Sequence, residues 1–278
     1  MYLRPTDLSA ALTALQGRNW ALLAGGTDFY PAHVGRPLPG AILDITGLAG
    51  LRGVREEVSA YRIGALTTWS EVLATPMPSA FDGLKRAARE IGGRQIQNAA
   101  TLAGNICNAS PAADGIPALL ALDAEVELSA HDGVRRLPLA SFVAGSRRTE
   151  RRPEELVTAI LIPRWGARAR STFLKLGARR YLVISIVMVA ATLDVGADGS
   201  IARAAVAVGA CSEVAQRLAT LEAKLLGKPL GPALAELVRL DDVAALTPIS
   251  DVRGSAEYRR DAAMTLIRRA LAELGTRS

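Results

Sequence analysis

The sequence predicts an α+β protein of two or three subdomains, and three observations lead to that prediction. At 278 residues, the chain is too long for one minimal hydrophobic core. Its helix and strand patterns do not alternate strictly, which argues against a doubly wound parallel sheet. The apolar runs Ile184–Val195 and Ile201–Val208 flank the turn residues Asp198-Gly199, as in an antiparallel hairpin.

The first 53 residues predict a small α/β unit. A short amphipathic helix is expected over Thr6–Leu15, with Thr6 or Asp7 as its cap. Buried strands are expected at Trp20–Ala24 and Ala41–Ile45, on either side of a glycine-rich segment.

The second unit, expected over residues 54–166, mixes short strands and helices. The amphipathic segment Phe81–Ile91 predicts a helix that ends at Gly92-Gly93. The segment Arg94–Asn108 has no regular period, and apolar residues interrupt its polar ones, so an ordered loop wrapped around a ligand is predicted. The other predicted elements are the strands Tyr61–Ile63, Glu125–Ser129 and Leu156–Ile162, the helices Thr68–Leu73 and Ile116–Leu122, and the basic loop Arg147–Arg152.

The third unit, expected over residues 167–278, contains the hairpin described above. A helix is predicted over Ala215–Leu226. A longer last helix, from about Ser255 to Leu274, carries an apolar stripe at helical spacing.

Charge and cysteine content exclude several classes of function. The net charge is +6, but the basic residues are scattered, so we expect no nucleic-acid binding; an anionic cofactor or an acidic partner protein explains the charge equally well. The two cysteines, Cys107 and Cys211, cannot supply the four thiolates of a usual iron–sulfur cluster. The sequence also lacks a cluster of Cys and His residues that would predict a zinc site. No nucleophile and base share a motif, so hydrolysis has no support.

The hydropathy pattern predicts no membrane span. The longest apolar stretch, Tyr181–Leu193, is too short to cross a bilayer. The N-terminal residues lack a basic-then-apolar signal pattern. We therefore expect a cytoplasmic protein.

The first candidate binding segment is Ala24–Asp28, which follows a predicted strand. Adjacent Gly25 and Gly26 let the backbone approach an anion closely and adopt the positive φ of an anion-binding nest. The Thr27 hydroxyl adds a donor. The spacing is that of neither a Rossmann nor a P-loop motif, so a phosphate site and a simple tight turn both stay open.

The second candidate segment, Thr101–Asn105, lies within the irregular stretch. Asn105 and Asn108 offer amide donors and acceptors. Asp114 could accept a ribose hydroxyl, or it could cap the turn before Ile116. Two such segments in one chain favour a single dinucleotide that both segments bind.

These residues resemble the two FAD loops of the molybdenum hydroxylases. More narrowly, Ala24–Asp28 and Thr101–Asp114 resemble those of the medium subunit of the xanthine dehydrogenase and carbon monoxide dehydrogenase family. Phe173–Arg180 and Ser255–Arg260 are similar to that family's C-terminal part. The resemblance covers nearly the whole chain.

The resemblance implies a fold and a set of partners. Subdomains 1–53 and 54–166 would clamp FAD in a fold of the PCMH type, followed by an α+β domain with an antiparallel sheet over 167–278. A large subunit with a molybdenum cofactor and a small subunit with [2Fe–2S] clusters would complete a heterotrimer, two of which would pair. This chain would pass electrons through FAD to NAD⁺, oxygen or another acceptor. The substrate stays open among purines, N-heterocycles, aldehydes and CO, because its pocket belongs to the large subunit.

The resemblance also implies roles for individual residues and no catalytic residue in this chain. The first loop would lie at the FAD pyrophosphate, and the second would meet the phosphates and the ribityl chain. Ile91 and Ile96 would lie near the isoalloxazine and adenine rings, and Lys175 would lie near the flavin unless it is a surface lysine. The expected cofactor-binding residues are Leu23, Ala24, Gly25, Gly26, Thr27, Asp28, Phe29, Ile91, Ile96, Ala100, Thr101, Gly104, Asn105, Asn108, Asp114, Ile160 and Lys175.

Two other functions stay open. A self-contained flavin reductase or oxidase would need its own acid or base beside the flavin, and the sequence offers no clear pair. A scaffold that has lost its flavin conflicts with two intact glycine segments. We expect Cys107 to be a small buried filler near the cofactor, and the basic loop Arg147–Arg152 to be either solvated or a docking site for a partner or an anionic acceptor.

Overall fold

The computed structural model describes residues 1–276. Its N-terminal part forms the predicted α/β unit. Its three strands form a parallel sheet in which the third strand lies between the first two. Asp7 is the helix cap, because its carboxylate accepts a hydrogen bond from the Ala10 amide at 2.8 Å. The elements are β1, Tyr2–Leu3, α1, Leu8–Gln16, β2, Ala21–Leu23, and β3, Ile42–Asp44.

The middle of the chain forms an antiparallel sheet of five strands with helices packed against it. The strands of this part are β4, Val54–Glu56, β5, Ala60–Gly64, β6, Glu125–Ala130, β7, Gly133–Pro138, β8, Val143–Gly145, β9, Arg148–Thr149, and β10, Leu156–Pro163. The helices are α2, Trp69–Ala74, α3, Asp82–Glu90, α4, Arg94–Ala99, α5, Leu102–Asn108, α6, Gly115–Leu120, and α7, Leu139–Phe142. The sheet order is β4-β5-β10-β6-β7, and β8 pairs with β9 in a separate ribbon.

The irregular loop predicted over Arg94–Asn108 is wrong, because this stretch forms the two helices α4 and α5. Each helix is shorter than two turns, so neither is long enough to show a 3.6-residue period. Thr101 separates the helices and caps the second one. The basic loop Arg147–Arg152 is likewise only partly a loop, since Arg148 and Thr149 pair as a strand.

The C-terminal part contains the predicted antiparallel hairpin within a sheet of four strands. The predicted helix Ala215–Leu226 starts later, at Ala219, because Gln216 and Arg217 pair with the hairpin instead. A strand over Arg170–Leu176 was not predicted. The elements are β11, Arg170–Leu176, β12, Val187–Val195, β13, Ile201–Gly209, β14, Gln216–Arg217, α8, Ala219–Leu225, and α9, Ala256–Thr276.

The four-stranded sheet is covered on both faces. Met188 and Ala190 of β12 pack into the core of the middle unit. Val187 and Val189, which alternate with them, pack into a second core beneath α9. Since successive side chains of a strand point to opposite faces, β12 reads as a continuous apolar run.

Two further sequence predictions concern membrane-crossing helices and the boundaries between the units. Within residues 1–276, none of the helices combines the length and the apolar character that crossing a membrane requires. The boundaries expected at residues 53 and 166 stay a prediction.

Candidate functional site

A cavity of about 650 Å³ lies where the two glycine segments meet. Its size is in the usual range for small-molecule and cofactor sites. The first segment follows β2 and forms one wall, and residues of α4 and α5 form the other. The predicted site residues that line it are Ala24, Gly25, Gly26, Thr27, Asp28, Phe29, Ile91, Ile96, Ala100, Thr101, Gly104, Asn105 and Asn108.

Gly25 is the point where the two walls touch. A Cβ at this position would lie 1.9 Å from the Ala99 carbonyl oxygen, so the close approach admits no side chain. Gly26 has φ +74°, and a Cβ there would also meet the Tyr30 ring at 2.6 Å. Both glycines are therefore required by this backbone geometry.

The second wall is anchored by the start of α2. Thr68 caps α2 through a reciprocal capping box with Glu71. The Trp69 amide donates to the Ala100 carbonyl at 3.2 Å, and the Leu102 amide donates to the Thr67 carbonyl at 2.9 Å. These bonds fix the first turns of α2 and α5 side by side.

Asn105 presents an amide oxygen that its surroundings leave unused. Thr101 differs, because its hydroxyl oxygen accepts from the Gly104 amide at 3.0 Å and so serves the local helix cap. The Asn105 Oδ1 atom is buried and accepts no hydrogen bond from any residue in the described range 1–276. Buried polar atoms without a partner are rare in native proteins, but this oxygen has almost no accessible surface and so does not itself face the cavity.

The charged groups at the cavity are few and of both signs. Asp28 and Arg151 line it, and Arg151 is held by donating to the Arg152 and Glu155 carbonyls, each at 2.8 Å. Burial raises the pKa of Cys107, another lining residue, to about 11, and the charge of Arg151 opposes that shift. The thiol is therefore protonated near neutral pH, which makes it a weak nucleophile. Among residues 1–276, no group of three His, Cys, Asp or Glu side chains is arranged to hold a metal ion.

Asp114 and Lys175 form a buried ion pair behind the cavity wall. Lys175 Nζ lies 2.7 Å from Asp114 Oδ2, and Ser185 Oγ donates to Asp114 Oδ1 at 2.5 Å. Burial raises the pKa of Asp114, and Lys175 and Ser185 oppose that shift. Lys175 Nζ also lies 3.4 Å from the Glu90 carbonyl oxygen, just before the lining residue Ile91.

Four of the predicted site residues do not line the cavity. Leu23 is buried in β2 and Ile160 is fully buried in β10. Asp114 and Lys175 contact each other instead. Asn108 does line the cavity, but its Oδ1 already accepts a hydrogen bond from Arg147.

Sequence reasoning missed four lining residues that carry polar groups, namely Trp20, His33, Trp69 and Arg151. Trp20 was considered only as the start of a strand, Trp69 only as part of a short helix and Arg151 as part of a solvated or docking loop. His33 Nδ1 lies 2.6 Å from the Phe29 carbonyl oxygen, so the loop holds its ring. Of these residues, only Trp69 has a signal in the neighbouring sequence, because Thr68 and Glu71 mark the start of the helix that positions it.

Two protein families together match most of the chain. Residues 1–165 match the family described as FAD binding domain in molybdopterin dehydrogenase. Residues 172–274 match the CO dehydrogenase flavoprotein C-terminal domain.

Individual proteins resemble the chain over most of its length. The Nicotinate dehydrogenase FAD-subunit of Eubacterium barkeri is 33% identical over 215 residues, which cover 76% of this chain and 73% of that protein. The Glyceraldehyde dehydrogenase medium chain of Sulfolobus acidocaldarius is 32% identical over 276 residues, 98% of this chain and 97% of that one. A solved structure of reconstituted CO dehydrogenase from Oligotropha carboxidovorans has a TM-score of 0.90 and 26% identity, covering 100% of this chain and 98% of that chain. The predicted fold class, a PCMH-type FAD-binding fold followed by a C-terminal α+β domain, is thereby confirmed.

Proposed function

Because the chain belongs to the FAD-binding medium subunits of the molybdenum hydroxylase family, we propose that it is the electron-transfer subunit of a heterotrimer. It accepts electrons from [2Fe–2S] clusters of a small partner subunit. It passes them to NAD⁺, oxygen or another acceptor. A large partner subunit with a molybdenum cofactor oxidises the substrate, two heterotrimers pair, and the complex is cytoplasmic.

The observation that carries this proposal is the cavity where both glycine segments meet. Its walls touch at Gly25, where a side chain would collide with Ala99, and a ligand that spans both segments fits between them. The lining residues Thr27 and Asn105 supply polar groups, and Arg151 supplies a positive charge for an anionic group. The residues therefore fit an anionic dinucleotide with hydroxyl groups, which is the chemistry of FAD.

The chain's own residues hold and orient the cofactor in this proposal. When bound, FAD supplies the redox chemistry, since flavins take up and release electrons in one-electron or two-electron steps. The glycine segments bring backbone amides close to the pyrophosphate, as the positive φ of Gly26 favours. The apolar lining residues Ile91, Ala103 and Leu156 exclude water from the cavity.

The residues behind the wall have a supporting part. Leu23 and Ile160 pack the strands that carry the lining residues. Asp114 and Lys175 form an ion pair of zero net charge beside the end of α3. We propose that this pair fixes the position of Ile91 and the charge near the flavin.

A pull-down of the tagged chain from its native host tests the proposal. We expect two partner chains of different size to co-purify, with flavin absorbance and with molybdenum and iron by elemental analysis. The mass of the complex should equal two copies of each chain. Reoxidation of the complex, reduced by dithionite, with NAD⁺ or oxygen as alternatives, identifies the acceptor.

The outcome that contradicts the proposal is equally specific. A yellow chain that purifies alone, without metal and with its own substrate turnover, would support the self-contained flavin reductase or oxidase instead. A colourless chain that stays colourless after FAD is added would support the scaffold. Gly104→Val tests the site separately, because full flavin occupancy in that variant would place the FAD outside this cavity.

A further inference from the structure

Arg147 fixes the side-chain amide of Asn108, a residue that lines the cavity. The guanidinium of Arg147 donates a hydrogen bond to Asn108 Oδ1. Because a guanidinium carries donors and no acceptor, the amide atom that it contacts must be the oxygen. The contact therefore sets the orientation of the amide, and both N–H groups of Asn108 Nδ2 stay available for another partner.

The Asn108 Nδ2 atom is both unbonded and accessible. No residue in the range 1–276 accepts a hydrogen bond from it. It is not one of the buried polar atoms without a partner, so it has accessible surface, in contrast to the enclosed Oδ1 atom of Asn105. Since Asn108 lines the cavity, a ligand in the cavity can reach these two N–H groups.

Arg151 supplies a second set of free donors to the same cavity. Its Nη1 donates to the carbonyl oxygens of Arg152, Pro153 and Glu155 at 2.8, 3.3 and 2.8 Å. Its Nε and Nη2 atoms make no hydrogen bond within the described residues, and neither atom is enclosed. No carboxylate of residues 1–276 pairs with this half-buried cation, so its positive charge is left for a ligand.

The backbone brings these donors to one corner of the cavity, at the end of α5. The Arg147 amide donates to the Ala109 carbonyl at 2.9 Å, so the turn between β8 and β9 lies against the residue that follows Asn108. Arg151 comes two positions after β9, and its charge acts on the thiol of Cys107, which precedes Asn108. Ala109 and Arg147 have φ of 45° and 59°, a strained conformation that is concentrated at functional sites.

An acceptor with negative charge fits this corner best. The free groups of Asn108 and Arg151 are all donors, and one of the two side chains is a cation. Asp28, a carboxylate that lines the cavity, belongs to the first glycine segment on the opposite wall. Oxidised FAD carries its negative charge on its two phosphates, and arginine forms strong charge-assisted hydrogen bonds with phosphate.

We propose that Asn108 and Arg151 bind phosphate oxygens of FAD, and that Arg147 positions Asn108 for this contact. The inference rests on the proposed function, which puts FAD in this cavity. It assigns the basic loop Arg147–Arg152 to the cofactor site. Asn108 and Arg151 touch the ligand, whereas Arg147 acts through Asn108.

Calorimetric titration of the cofactor-free full chain with FAD and with ADP tests the Arg151 contact. We expect Arg151→Met to bind both ligands about 10-fold more weakly, the loss typical of one hydrogen bond to a charged group. Its affinity should also fall less steeply with added salt, because one pair of opposite charges is gone. Arg151→Lys keeps the charge and should keep the steep salt dependence, even where its affinity is lower.

Arg152→Met is the matched control for Arg151→Met. It removes the same charge from the next residue, whose side chain is exposed and does not line the cavity. We expect this variant to bind FAD and ADP with unchanged affinity. Thermal unfolding of both variants separates a loss of folding from a loss of binding.

Asn108→Asp and Asn108→Ala test the amide donors. A carboxylate at this position still accepts a hydrogen bond from Arg147, but it has no donor and it repels a phosphate. We therefore expect Asn108→Asp to bind FAD and ADP more weakly than Asn108→Ala does, although its ion pair with Arg147 preserves the unfolding temperature. If Asn108 served only to hold Arg147, the order of the two affinities would be reversed.

Arg147→Met tests the positioning role. Without the guanidinium, the amide of Asn108 is free to rotate and to turn its oxygen toward the phosphate, so FAD should bind about 3-fold to 10-fold more weakly. Arg147→Lys should restore most of the affinity, because an ammonium also donates to Oδ1. In the Asn108→Ala background, Arg147→Met should have no further effect, because Arg147 acts through Asn108.

The outcomes distinguish this inference from the proposed function. If Gly104→Val, Arg151→Met and Asn108→Asp all bind FAD as the unaltered chain does, the cavity is not the FAD site and both proposals fail. If only Gly104→Val loses FAD, the site assignment stands and the phosphate contact is wrong. Weaker binding of FAD without weaker binding of ADP would place the donors at the flavin ring and overturn the inference. An unchanged salt dependence in Arg151→Met would overturn it as well, because Arg151 would then meet an uncharged group.

Discussion

Lys175 and Asp114, which are 61 positions apart in sequence, meet in a buried ion pair with Nζ 2.7 Å from Oδ2. Each side chain is less than a tenth exposed. The sequence predicted both residues as separate cofactor contacts, whereas here each is the other's partner. Asp114 belongs to the start of α6 and Lys175 to β11, so the pair joins the FAD-binding part of the chain to the C-terminal sheet.

Lys175→Met should strongly destabilise the chain at pH 8. It leaves a buried carboxylate without its cation, which costs about 3 kcal/mol in the free energy of unfolding. Burial already raises the pKa of Asp114 above its ordinary 3.8, and loss of Lys175 raises it further. Stability from a raised pKa is present below 3.8 and is lost as the pH rises through the folded value. Urea denaturation at pH 4 and pH 8 should therefore show the smaller loss at pH 4.

Lys228→Met, at an exposed lysine, is the control for the loss of a positive charge. The combined change Lys175→Met with Asp114→Asn should recover part of the lost stability, since no buried charge remains. An equal loss at both pH values would show that packing of the lysine stem, and not the charge of Asp114, decides the effect.

Gly25→Ala should both destabilise the chain and reduce its FAD content. The added Cβ would lie 1.9 Å from the Ala99 carbonyl oxygen, so the two cavity walls must move apart, at a cost of roughly 2 kcal/mol. Thermal unfolding and the ratio of flavin to protein absorbance measure the two effects. Gly17→Ala is the matched control, because a Cβ there meets nothing within 4 Å. Wild-type flavin content in Gly25→Ala would contradict the tight contact.

Much of the fold could be predicted because its signals are local. Asp7 caps α1 and Asp198-Gly199 turns the hairpin through residues next to them in sequence. The helices α4 and α5 could not be predicted in the same way. They are held by bonds to the start of α2 and the residues just before it, such as that from the Leu102 amide to the Thr67 carbonyl, and are too short to show a period of their own.

Glu127→Gln should make the free energy of unfolding depend less on pH between pH 2 and pH 7. Hydrogen bonds from Arg62 are the main cause that lowers the pKa of Glu127 from 4.5 to about 2, with Thr158 and Arg136 adding to the effect. A lowered pKa gives stability that is present above 4.5 and is lost as the pH falls through the folded value. The variant should lose roughly 2 kcal/mol at pH 7 and much less at pH 2.

Denaturation curves between pH 2 and pH 7 measure this difference. Glu125→Gln is the control, since Glu125 is an exposed residue of the same strand. If the two variants followed parallel curves, the ion pairs of Glu127 would contribute nothing to the pH dependence.

Arg259→Lys should destabilise the C-terminal domain by roughly 2 kcal/mol. The buried guanidinium donates to the Ile186 carbonyl at 2.7 Å, to the Ala210 carbonyl at 3.2 Å and to Asp251 Oδ1 at 2.7 Å. A lysine ammonium lacks the planar fork that reaches all three. Arg269→Lys changes an exposed arginine of the same helix and should leave the free energy of unfolding within about 0.5 kcal/mol of the original. Equal midpoints in both variants would contradict the anchoring role.

The candidate site was predictable only where one short segment carries it. Gly25 and Gly26 stand together after a strand, so their motif is visible in sequence. Arg151 lines the cavity because tertiary packing brings its loop beside α5, and no local pattern signals that contact.

The doubly covered strand β12 places two separate constraints on exchange of the C-terminal domain between relatives. Its even positions Met188 and Ala190 complete the core of the FAD-binding part, and its odd positions serve the domain's own core beneath α9. A chimera that carries the C-terminal domain of a relative would therefore also place that relative's side chains in the core of the FAD-binding part. Such a graft should succeed when the donor has side chains of similar volume at the even positions, whatever it carries at the odd ones.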